Sequence, residues 1–367
     1  MILSSGGRFA CSYLQQAIVS RPYFYHRSTD LVTNALQNRK MASTGETRPK
    51  VFVTRSDIPQ IGLDLLKAEC DVTVWEQPSP VPRTELLRNI VGKDALFCTL
   101  CDKIDSDVLE KASPSLKVIG TMSVGYDHID VGGCKAQGIR VGYTPDVLTD
   151  ATAELTMALL LATTRRLFEA NKEVYNGGWK SWAPTWMCGQ GLKGSTVGIV
   201  GFGRIGQEVA KRIVPFKPSR ILYTGRTERK SEAAEVNAEY VNFDILLKES
   251  DVVVVLCALS PETVNMFNEE SFAKMKKSAV FINASRGAVV DQKALYEALR
   301  NGVITSAGLD VTTPEPLPVD DPLTKLSNIV ILPHIGSADL RTRIEMSRIT
   351  ACNILQGIIG TQMIAEV

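Results

Sequence analysis

A glycine-rich segment in the middle of the chain constrains the fold more than any other feature. Thr196-Val-Gly-Ile-Val is a run of apolar and β-branched residues that leads directly into Gly201, Gly203 and Gly206. A helical pattern over 207–213 follows without a break. A buried strand that turns into a helix through G-x-G-x-x-G is typical of the phosphate-binding turn of a dinucleotide-binding sheet. The segment therefore predicts a parallel α/β fold that binds a dinucleotide.

Each glycine of this turn has a separate physical role. Gly201 permits the tight turn, Gly203 lets the backbone approach the pyrophosphate, and Gly206 allows the helix to pack closely on the strand. The first turn of the helix then offers free N–H groups to the phosphates. An ordinary strand-to-helix turn is the alternative, but the spacing and the sheet pattern that follows favour the dinucleotide site.

The rest of the chain repeats the alternation of short apolar runs and helical stretches. Before the glycine turn, β-rich runs occur at 51–54, 72–75, 95–98, 118–120 and 140–142. From the turn onward, they occur at 196–200, 221–224, 252–256, 279–283, 306–309 and 329–332. Strands that alternate with helices favour parallel sheets, because parallel connections need a crossover. The predicted fold class is α/β, with two Rossmann-like or flavodoxin-like domains, parallel sheets and an active-site cleft between the domains.

The domain division is placed at the start of a long helical pattern. Thr149-Asp150 is a candidate helix cap, and we expect a helix from there to Leu167. The last stretch of the chain is helical in pattern but too short to form a domain, so we expect it to pack on the first domain. The prediction is a discontinuous first domain, 50–149 plus 337–367, and a dinucleotide-binding domain, 150–336.

Residues 1–49 form an N-terminal extension that differs from the remainder. Within residues 1–40, the basic residues Arg8, Arg21, Arg27, Arg39 and Lys40 face a single acid, Asp30. This composition is typical of a transit peptide. A disordered extension without a targeting role is the alternative, and Met41 offers a second start position. Both interpretations stay open: the protein is expected in the cytoplasm, or in mitochondria if residues 1–40 direct import.

Charge and cysteine content argue against several classes of function. The 41 basic and 40 acidic residues give a net charge of +1, so no overall field attracts nucleic acid or an anionic membrane. The longest apolar stretch, 155–162, is too short to cross a bilayer. The 8 cysteines are scattered, and Cys98 and Cys101 lack a second pair at metal-ligand spacing. We expect no nucleic-acid partner, no membrane partner and no metal, and interpret these two cysteines as packing residues.

The end of the second strand after the glycine turn bears on which nicotinamide dinucleotide is bound. In many such sheets an acid at this position accepts hydrogen bonds from the free 2′-hydroxyl of NAD. Here the position is Gly225, and Arg226 and Arg229 follow it. Without a carboxylate to repel it, a 2′-phosphate can bind to the arginines. We expect NADP(H) to be preferred and NAD(H) to be accepted as well, with a solvated charged turn as the alternative.

Three side chains near strand ends form a candidate catalytic set. His334 follows the last β-rich run, Glu315 lies in a proline-rich loop, and Arg286 follows another run. Ligands bind at the C-terminal ends of strands in open parallel sheets. A histidine can exchange a proton with a ketone oxygen, a carboxylate can orient the imidazole, and an arginine can hold a substrate carboxylate. The set predicts hydride transfer between a dinucleotide and a small 2-keto or 2-hydroxy acid.

Several further motifs occur in a fixed order between Lys50 and the C-terminus. They are Ser123-Val-Gly-Tyr-Asp-His128, Asp150-Ala-Thr-Ala-Glu154, Ser285-Arg-Gly287, Ala307-Gly-Leu-Asp-Val311, Glu315 between prolines, and Pro333-His-Ile-Gly-Ser337. Together with the glycine turn, they resemble the D-2-hydroxyacid dehydrogenase family, and within it the glyoxylate and hydroxypyruvate reductases. The resemblance implies NAD(P)H-dependent reduction of glyoxylate to glycolate and of hydroxypyruvate to D-glycerate.

The resemblance also implies roles for individual positions. The implied catalytic residues are Arg286, Glu315 and His334, and the implied substrate contacts are Val124, Gly125, Trp182, Arg286, Asp310 and His334. The implied cofactor contacts are Gly201, Gly203, Arg204, Ile205, Gly206, Gly225, Arg226, Thr227, Arg229, Ala258, Ala284, Asp310 and Gly336. Val124 and Gly125 are expected to present backbone N–H groups to the substrate carboxylate. Asp310 is expected to line the nicotinamide side of the cleft, and His128 is interpreted as structural.

A homodimer is implied by a segment rich in tryptophan. Gly178-Trp-Lys-Ser-Trp-Ala-Pro-Thr-Trp186 is similar to the arm by which such reductases embrace a second subunit, and Trp182 matches the tryptophan that reaches the neighbouring substrate pocket. Aromatic packing at the dimer seam is an equally good interpretation of Trp179 and Trp186. One departure from the family is Ala258, which stands where a small hydroxyl residue is frequent and costs at most one hydrogen bond.

Two other functions stay open from the sequence. Another member of the same family, such as a phosphoglycerate dehydrogenase, needs additional basic groups for a substrate phosphate, and the motifs offer none that is obvious. Transcriptional corepressors of the same fold bind a dinucleotide as a signal and then bind partner peptides. Turnover by the purified protein distinguishes an enzyme from a corepressor.

Overall fold

Two parallel sheets organise the part of the chain that the computed structural model describes, residues 47–367. From Lys50 to Val367 these residues form one compact unit. The predicted transit peptide or disordered extension falls almost entirely outside the described residues. The fold class predicted from the sequence, α/β with two parallel sheets, is confirmed.

The first sheet has the flavodoxin-like strand order β2-β1-β3-β4-β5. Its strands are β1 (Lys50–Val53), β2 (Asp71–Val74), β3 (Ala95–Cys98), β4 (Val118–Thr121) and β5 (Arg140–Gly142). The crossover helices are α1 (Gln60–Glu69), α2 (Arg83–Asn89), α3 (Ser106–Ala112) and α4 (Val131–Ala136). Every residue of β3 and β4 is buried, whereas the edge strand β2 alternates between exposed and half-buried residues. Continuous apolar runs therefore mark the strands that helices cover on both faces.

Two helices connect the first sheet to the second. They are α5 (Thr149–Thr164) and α6 (Leu167–Tyr175). The expected helix to Leu167 is broken because Arg166 adopts the left-handed conformation, with φ of 55°. The cap expected at Thr149-Asp150 is wrong: Leu148 is the N-cap residue and makes no side-chain cap, while Asp150 pairs with Arg212 at 2.5 Å.

The second sheet has the strand order β12-β11-β10-β9-β6-β7-β8. Its strands are β6 (Thr196–Val200), β7 (Arg220–Thr224), β8 (Ala238–Tyr240), β9 (Val252–Val255), β10 (Val280–Asn283), β11 (Ser306–Leu309) and β12 (Ile329–Ile331). Its α-helices are α7 (Arg204–Ile213), α8 (Lys230–Val236), α9 (Phe243–Glu249), α10 (Glu269–Lys274) and α11 (Gln292–Arg300), and short 3₁₀ helices span Val214–Phe216, Gly287–Val289 and Pro322–Lys325. The strand order reverses between β6 and β9, which is the switch point where dinucleotides bind in such sheets.

The C-terminal helix α12 (Leu340–Ile359) packs on the first sheet. A side chain on Gly120 of β4 would lie 2.7 Å from Ile354, and one on Gly142 of β5 would lie 2.7 Å from the Asn353 side chain. The buried Asn353 amide donates to the carbonyl oxygen of Tyr143 at 2.9 Å. The small residues of β4 and β5 thus let α12 approach the sheet closely.

Neither a bilayer span nor a metal centre is evident within residues 47–367. No helix there is long and apolar enough to cross a membrane. In the same range, no group of three or more His, Cys, Asp or Glu side chains is arranged to hold a metal ion. Cys98 is fully buried, as expected of a packing residue, but Cys101 is exposed, so that interpretation is wrong for Cys101.

Candidate active site

The glycine turn lies at the switch point of the second sheet. Gly201 has φ of +99°, and a Cβ there would lie 2.5 Å from the backbone nitrogen of Cys257, just beyond β9. A Cβ on Gly206 would collide with the carbonyl oxygen of Gly201. Only glycine fits at these two positions, because the first needs a left-handed backbone and the second a close helix–strand approach.

The N-terminus of α7 is open for an anion. Gly203 is its N-cap residue, and nothing lies within 4 Å of where its Cβ would be. No side chain of the described residues caps this helix, so its first N–H groups are free for phosphate oxygens. The exposed Arg204 forms an ion pair with Asp146, and Ile205 packs against the core. The turn therefore fits the dinucleotide pyrophosphate that the sequence predicts.

The segment after β7 combines a fixed backbone with solvent-exposed arginines. The carbonyl oxygen of Gly225 accepts from the Tyr240 hydroxyl at 3.0 Å, and the Arg229 N–H donates to the Tyr223 hydroxyl at 3.0 Å. Arg226, Thr227 and Arg229 are exposed, and within residues 47–367 neither arginine is in an ion pair. Both guanidinium groups are thus available to a ligand, as the phosphate interpretation requires.

Other predicted cofactor contacts follow strands of the same sheet. Ala258 comes shortly after β9, and its carbonyl oxygen accepts from the Thr263 hydroxyl at 2.8 Å. Ala284 directly follows β10, and its N–H donates to the carbonyl oxygen of Val255 at 3.2 Å. The C-terminal ends of parallel strands share one edge, so these positions line the edge that carries the glycine turn.

His334 and Glu315 contact each other directly. His334 Nδ1 lies 2.7 Å from Glu315 Oε2, and Oε1 of the same carboxylate accepts from the Thr312 N–H at 3.1 Å. Burial opposes ionisation of Glu315. Its pKa is nevertheless held below the ordinary value by the hydrogen bond and charge of His334, by the Thr312 N–H and by the charge of Arg286. The carboxylate is therefore ionised at neutral pH and acts as the acceptor for Nδ1.

Asp310 fixes the backbone of His334 and of the two residues that follow it. Its Oδ1 accepts from the Ile335 N–H and its Oδ2 from the Gly336 N–H, both at 2.8 Å, and its carbonyl oxygen accepts from the His334 N–H at 2.9 Å. His334 itself has φ of +53°, an uncommon conformation for a non-glycine residue. Burial raises the pKa of Asp310 although these bonds oppose the shift. The structure gives Asp310 a supporting contact; its contact with substrate stays a prediction.

Arg286 extends from the second sheet toward the loop after β4. Its Nη1 donates to the carbonyl oxygen of Ser285 at 2.9 Å, and its Nε donates to Asp127 Oδ1 at 3.0 Å. A Cβ on Gly125 would collide with Nη2 of Arg286, so the guanidinium lies directly against the Val124–Gly125 backbone. The two groups predicted to bind a substrate carboxylate are thus adjacent.

Sequence reasoning assigned no role to Asp127. It lies within the quoted motif 123–128, but its partner Arg286 is 159 residues away. The contact is seen only in the folded protein, where a loop of the first sheet meets a loop of the second. The hint in the sequence was a charged residue close to Val124 and Gly125, whose backbone N–H groups are predicted to bind the substrate carboxylate.

His128 has structural contacts, as interpreted from the sequence. Its Nε2 lies 3.0 Å from the Thr121 hydroxyl, which also contacts the Ser123 hydroxyl at 2.8 Å. The Ser123 hydroxyl donates to the carbonyl oxygen of Gly125 at 2.6 Å. Burial lowers the pKa of His128 from 6.5 to about 4, so the ring is neutral at physiological pH. This network holds the loop that faces Arg286.

Trp182 is not brought to the other predicted site residues. Its side chain is 82% exposed, and no hydrogen bond or ring contact joins it to the rest of residues 47–367. Helix α6, which precedes it, has no buried residue. Trp182 and α6 therefore form a solvent-exposed surface.

The chain is similar to known proteins over most of its length. Residues 157–336 match the family model described as D-isomer specific 2-hydroxyacid dehydrogenase, NAD binding domain. The chain is 55% identical over 319 residues to glyoxylate reductase/hydroxypyruvate reductase from Homo sapiens, covering 86% of this chain and 97% of the relative. It is 48% identical over 315 residues to glyoxylate reductase from Thermofilum pendens, covering 85% and 92% respectively.

Solved structures show the same fold. A protein from Thermus thermophilus superposes with a TM-score of 0.80 at 44% identity, covering 87% of this chain and 99% of that one. An NADPH-dependent glyoxylate/hydroxypyruvate reductase from Sinorhizobium meliloti, solved with NADP and malonate, gives a TM-score of 0.76 at 30% identity, covering 88% and 97%. The chain therefore belongs to the D-isomer specific 2-hydroxyacid dehydrogenase family of oxidoreductases.

Proposed function

We propose that the protein is an NADPH-preferring reductase that converts glyoxylate to glycolate and hydroxypyruvate to D-glycerate. The observation that carries the proposal is the 2.7 Å contact between His334 and Glu315. These residues lie in the loops that follow β12 and β11, in the same sheet that carries the glycine turn at its switch point. A proton-donating pair and a dinucleotide turn in one sheet suit hydride transfer to a ketone or aldehyde carbon. The relative at 55% identity is named for both substrates, glyoxylate and hydroxypyruvate, and the relative at 48% identity is named for glyoxylate.

The substrate is proposed to bind in a cleft between two domains. Residues 50–149 and 337–367 form the substrate-binding domain, and residues 150–336 form the dinucleotide-binding domain. Support comes from the Arg286–Asp127 ion pair at 3.0 Å, which joins a loop of the second sheet to a loop of the first. Closure of such a cleft excludes water from the reacting groups.

The substrate carboxylate is proposed to bind to Arg286 and to the backbone N–H groups of Val124 and Gly125. A guanidinium fork and a turn of amides are both suited to a carboxylate, and here they lie against each other. This binding places the neighbouring carbonyl group toward His334. Orientation of this kind supplies much of the rate enhancement when two groups must meet in one geometry.

His334 is proposed to donate the proton. The ionised Glu315 can only accept a hydrogen bond, so Nδ1 carries a proton and Nε2 is left for the substrate oxygen. The bound nicotinamide dinucleotide supplies the hydride. During reduction His334 protonates the developing alkoxide, and in the reverse direction it removes that proton. Glu315 stabilises the positive imidazolium and holds the ring in one orientation.

The NADPH preference is proposed from the turn after β7. No acid stands at Gly225, and Arg226 and Arg229 are exposed and outside any ion pair among the described residues. A 2′-phosphate gains charge-assisted hydrogen bonds there, whereas the 2′-hydroxyl of NADH finds no carboxylate. NADH remains usable because the pyrophosphate and nicotinamide contacts are common to both cofactors.

A homodimer is proposed from a run of exposed apolar side chains. They are Leu167, Phe168, Val174 and Tyr175 of α6, followed by Trp179, Trp182 and Trp186. Contiguous exposed aromatic residues are typical of protein interfaces. Trp182, at 82% exposure, is then available to reach the substrate pocket of the partner subunit.

The direct test is turnover by purified protein that begins at Met41. Oxidation of NADPH and of NADH is followed with glyoxylate, hydroxypyruvate and pyruvate. We expect fast NADPH oxidation with the first two acids, slower oxidation with NADH, and loss of turnover in His334→Ala. No turnover by a protein that binds NADPH would contradict the proposed function and favour a dinucleotide-sensing binding protein. Preference for a phosphorylated acid would favour a phosphoglycerate dehydrogenase.

A further inference from the structure

We propose that Asp127 is a positioning residue that orients Arg286 for the substrate carboxylate. The inference rests on the proposed function of Arg286, because it concerns how that side chain is prepared for binding. Asp127 belongs to the loop after β4 of the first sheet, and Arg286 follows β10 of the second. The ion pair between them therefore forms where the loops of the two sheets meet.

The guanidinium of Arg286 is held on two of its three nitrogens. Nε donates to Asp127 Oδ1 at 3.0 Å, and Nη1 donates to the carbonyl oxygen of Ser285 at 2.9 Å. Nη2 lies directly against the backbone at Gly125. The side chains of Arg286 and Asp127 are 23% and 29% exposed, so both lie mostly away from solvent. This arrangement leaves Nη2 for a carboxylate that also reaches the backbone amides of the loop.

The role of Asp127 follows from what an arginine side chain does without a partner. Its long stem has several rotamers, and ordering them on binding substrate costs conformational entropy. A charge-assisted hydrogen bond to Nε fixes the plane of the fork before substrate arrives. Preorganisation of this kind increases affinity by removing an ordering cost from the binding step.

The negative charge of Asp127 acts in the opposite direction. A carboxylate beside Arg286 repels the substrate carboxylate and weakens its binding. Orientation and repulsion therefore predict opposite effects of removing Asp127. An asparagine at this position keeps an oxygen that can accept from Nε but carries no charge, so it separates the two effects.

The test compares Asp127→Ala, Asp127→Asn and wild type in steady-state reduction of glyoxylate by NADPH. If Asp127 acts by orientation, Asp127→Ala raises KM for glyoxylate by roughly tenfold or more, the loss expected for one hydrogen bond to a charged group. Asp127→Asn then stays within about threefold of wild type, since the acceptor is kept. The Kd of NADPH, measured by fluorescence titration, is expected to stay unchanged in both variants, because the contact joins the loops after β4 and β10 and includes no residue of the glycine turn.

A matched control removes another carboxylate from an ion pair. Asp244 of α9 contacts Lys274 of α10 at 3.1 Å on the exposed surface, and Asp244→Ala is expected to leave KM and kcat unchanged. An unchanged or lower KM in Asp127→Ala would overturn the proposal, as would equal losses in Asp127→Ala and Asp127→Asn. A fall in Tm with a parallel loss of NADPH binding would indicate a merely structural role and overturn it too.

A binding measurement keeps this inference separate from the proposed function. Oxamate, an unreactive carboxylate, is titrated calorimetrically into each protein saturated with NADPH. Tight binding to wild type and binding about tenfold weaker to Asp127→Ala support the positioning role even if glyoxylate is not turned over. Absence of oxamate binding to wild type would overturn the assignment of Arg286 as the carboxylate anchor, and with it the role of Asp127.

Discussion

His334 Nδ1 and Glu315 Oε2 lie 2.7 Å apart, although 19 residues separate them in the sequence. The contact forms because β11 and β12 are parallel neighbours, so the loops that follow them leave the sheet at the same edge. Asp310 adds to this by fixing the backbone of residues 334–336 with its carbonyl and carboxylate oxygens. The imidazole orientation is thus set by two acids, one at the ring and one at the backbone.

Loss of the imidazole or of its carboxylate partner is expected to slow the chemical step without affecting the affinity for the cofactor. Glu315→Gln removes the charge that stabilises the imidazolium, and we expect kcat to fall by about 100-fold. His334→Ala removes the proton donor and is expected to lower kcat by about 10³-fold or more. Steady-state kinetics measures both effects, and NADPH fluorescence titration should show unchanged binding.

A control for these variants is Glu297→Gln on α11, whose exposed carboxylate accepts from the Asn301 side chain at 3.2 Å and lies 3.8 Å from Arg300. That variant should keep the wild-type kcat, because exposed pairs contribute little. If Glu315→Gln retained full kcat at saturating substrate, the proposed role of the carboxylate would be wrong.

Cofactor preference is expected to depend on the arginines after β7. Arg226→Ala removes a guanidinium group from the proposed 2′-phosphate site, so KM for NADPH should rise by about 10- to 100-fold. KM for NADH should stay nearly constant, since that cofactor has no charge at this position. Lys230→Ala, in the same segment but paired with Glu228 at 3.6 Å, is the matched control. An equal loss for both cofactors in Arg226→Ala would point to a structural role instead.

The sequence was informative where one local pattern determines one structure. The glycine turn needs φ of +99° at Gly201 and a close approach at Gly206, and both constraints are visible as glycines. The edge strand β8 escaped prediction because its three residues, Ala238–Tyr240, are half-buried or exposed and lack the apolar run of central strands. The break at Arg166 was missed because a left-handed arginine has no sequence signature.

Contacts between distant segments lay beyond sequence reasoning for a different reason. The residues of the catalytic set could be chosen by their position after strands, since the C-terminal ends of parallel strands share one edge. The partner of Arg286 could not be predicted in this way, because Asp127 lies in a loop of the other sheet, 159 residues away. Such pairs depend on how two sheets pack, and no local periodicity encodes that packing.

Subunit complementation is expected if Trp182 completes the pocket of the partner subunit. Trp182→Ala alone should weaken keto-acid binding, and His334→Ala alone should abolish turnover. In a heterodimer of the two variants, one pocket combines the intact His334 of one chain with the intact Trp182 of the other. At keto-acid concentrations too low for the Trp182→Ala homodimer to turn over, co-expressed chains should therefore show about a quarter of wild-type activity, because half of the dimers are mixed and each has one intact pocket. No recovery in dimers verified by sedimentation would contradict the exchange of Trp182.

Stability at acid pH is expected to depend on His128. Burial lowers the pKa of this ring from 6.5 to about 4 in the folded protein, whereas the unfolded chain has the ordinary value. Between these two values the unfolded state binds more protons, so protonation favours unfolding and stability falls as the pH falls. The contribution is fully present above pH 6.5 and is lost down to about pH 4. The free energy of unfolding should fall by about 2 kcal/mol at pH 5 and by about 3 kcal/mol below pH 4.

His128→Gln isolates this contribution from the other acid-sensitive groups of the protein. Glutamine can still contact the Thr121 hydroxyl, which lies 3.0 Å from the histidine ring, but it does not titrate. Urea unfolding at pH 8, 6 and 5 measures the free energy for both proteins. At pH 8 the variant should be as stable as wild type or less stable. From pH 8 to pH 5 wild type should lose about 2 kcal/mol more free energy of unfolding than the variant does. Parallel curves for the two proteins would show that the His128 ring is not held neutral by burial, and the loop it supports would then need another explanation for its order.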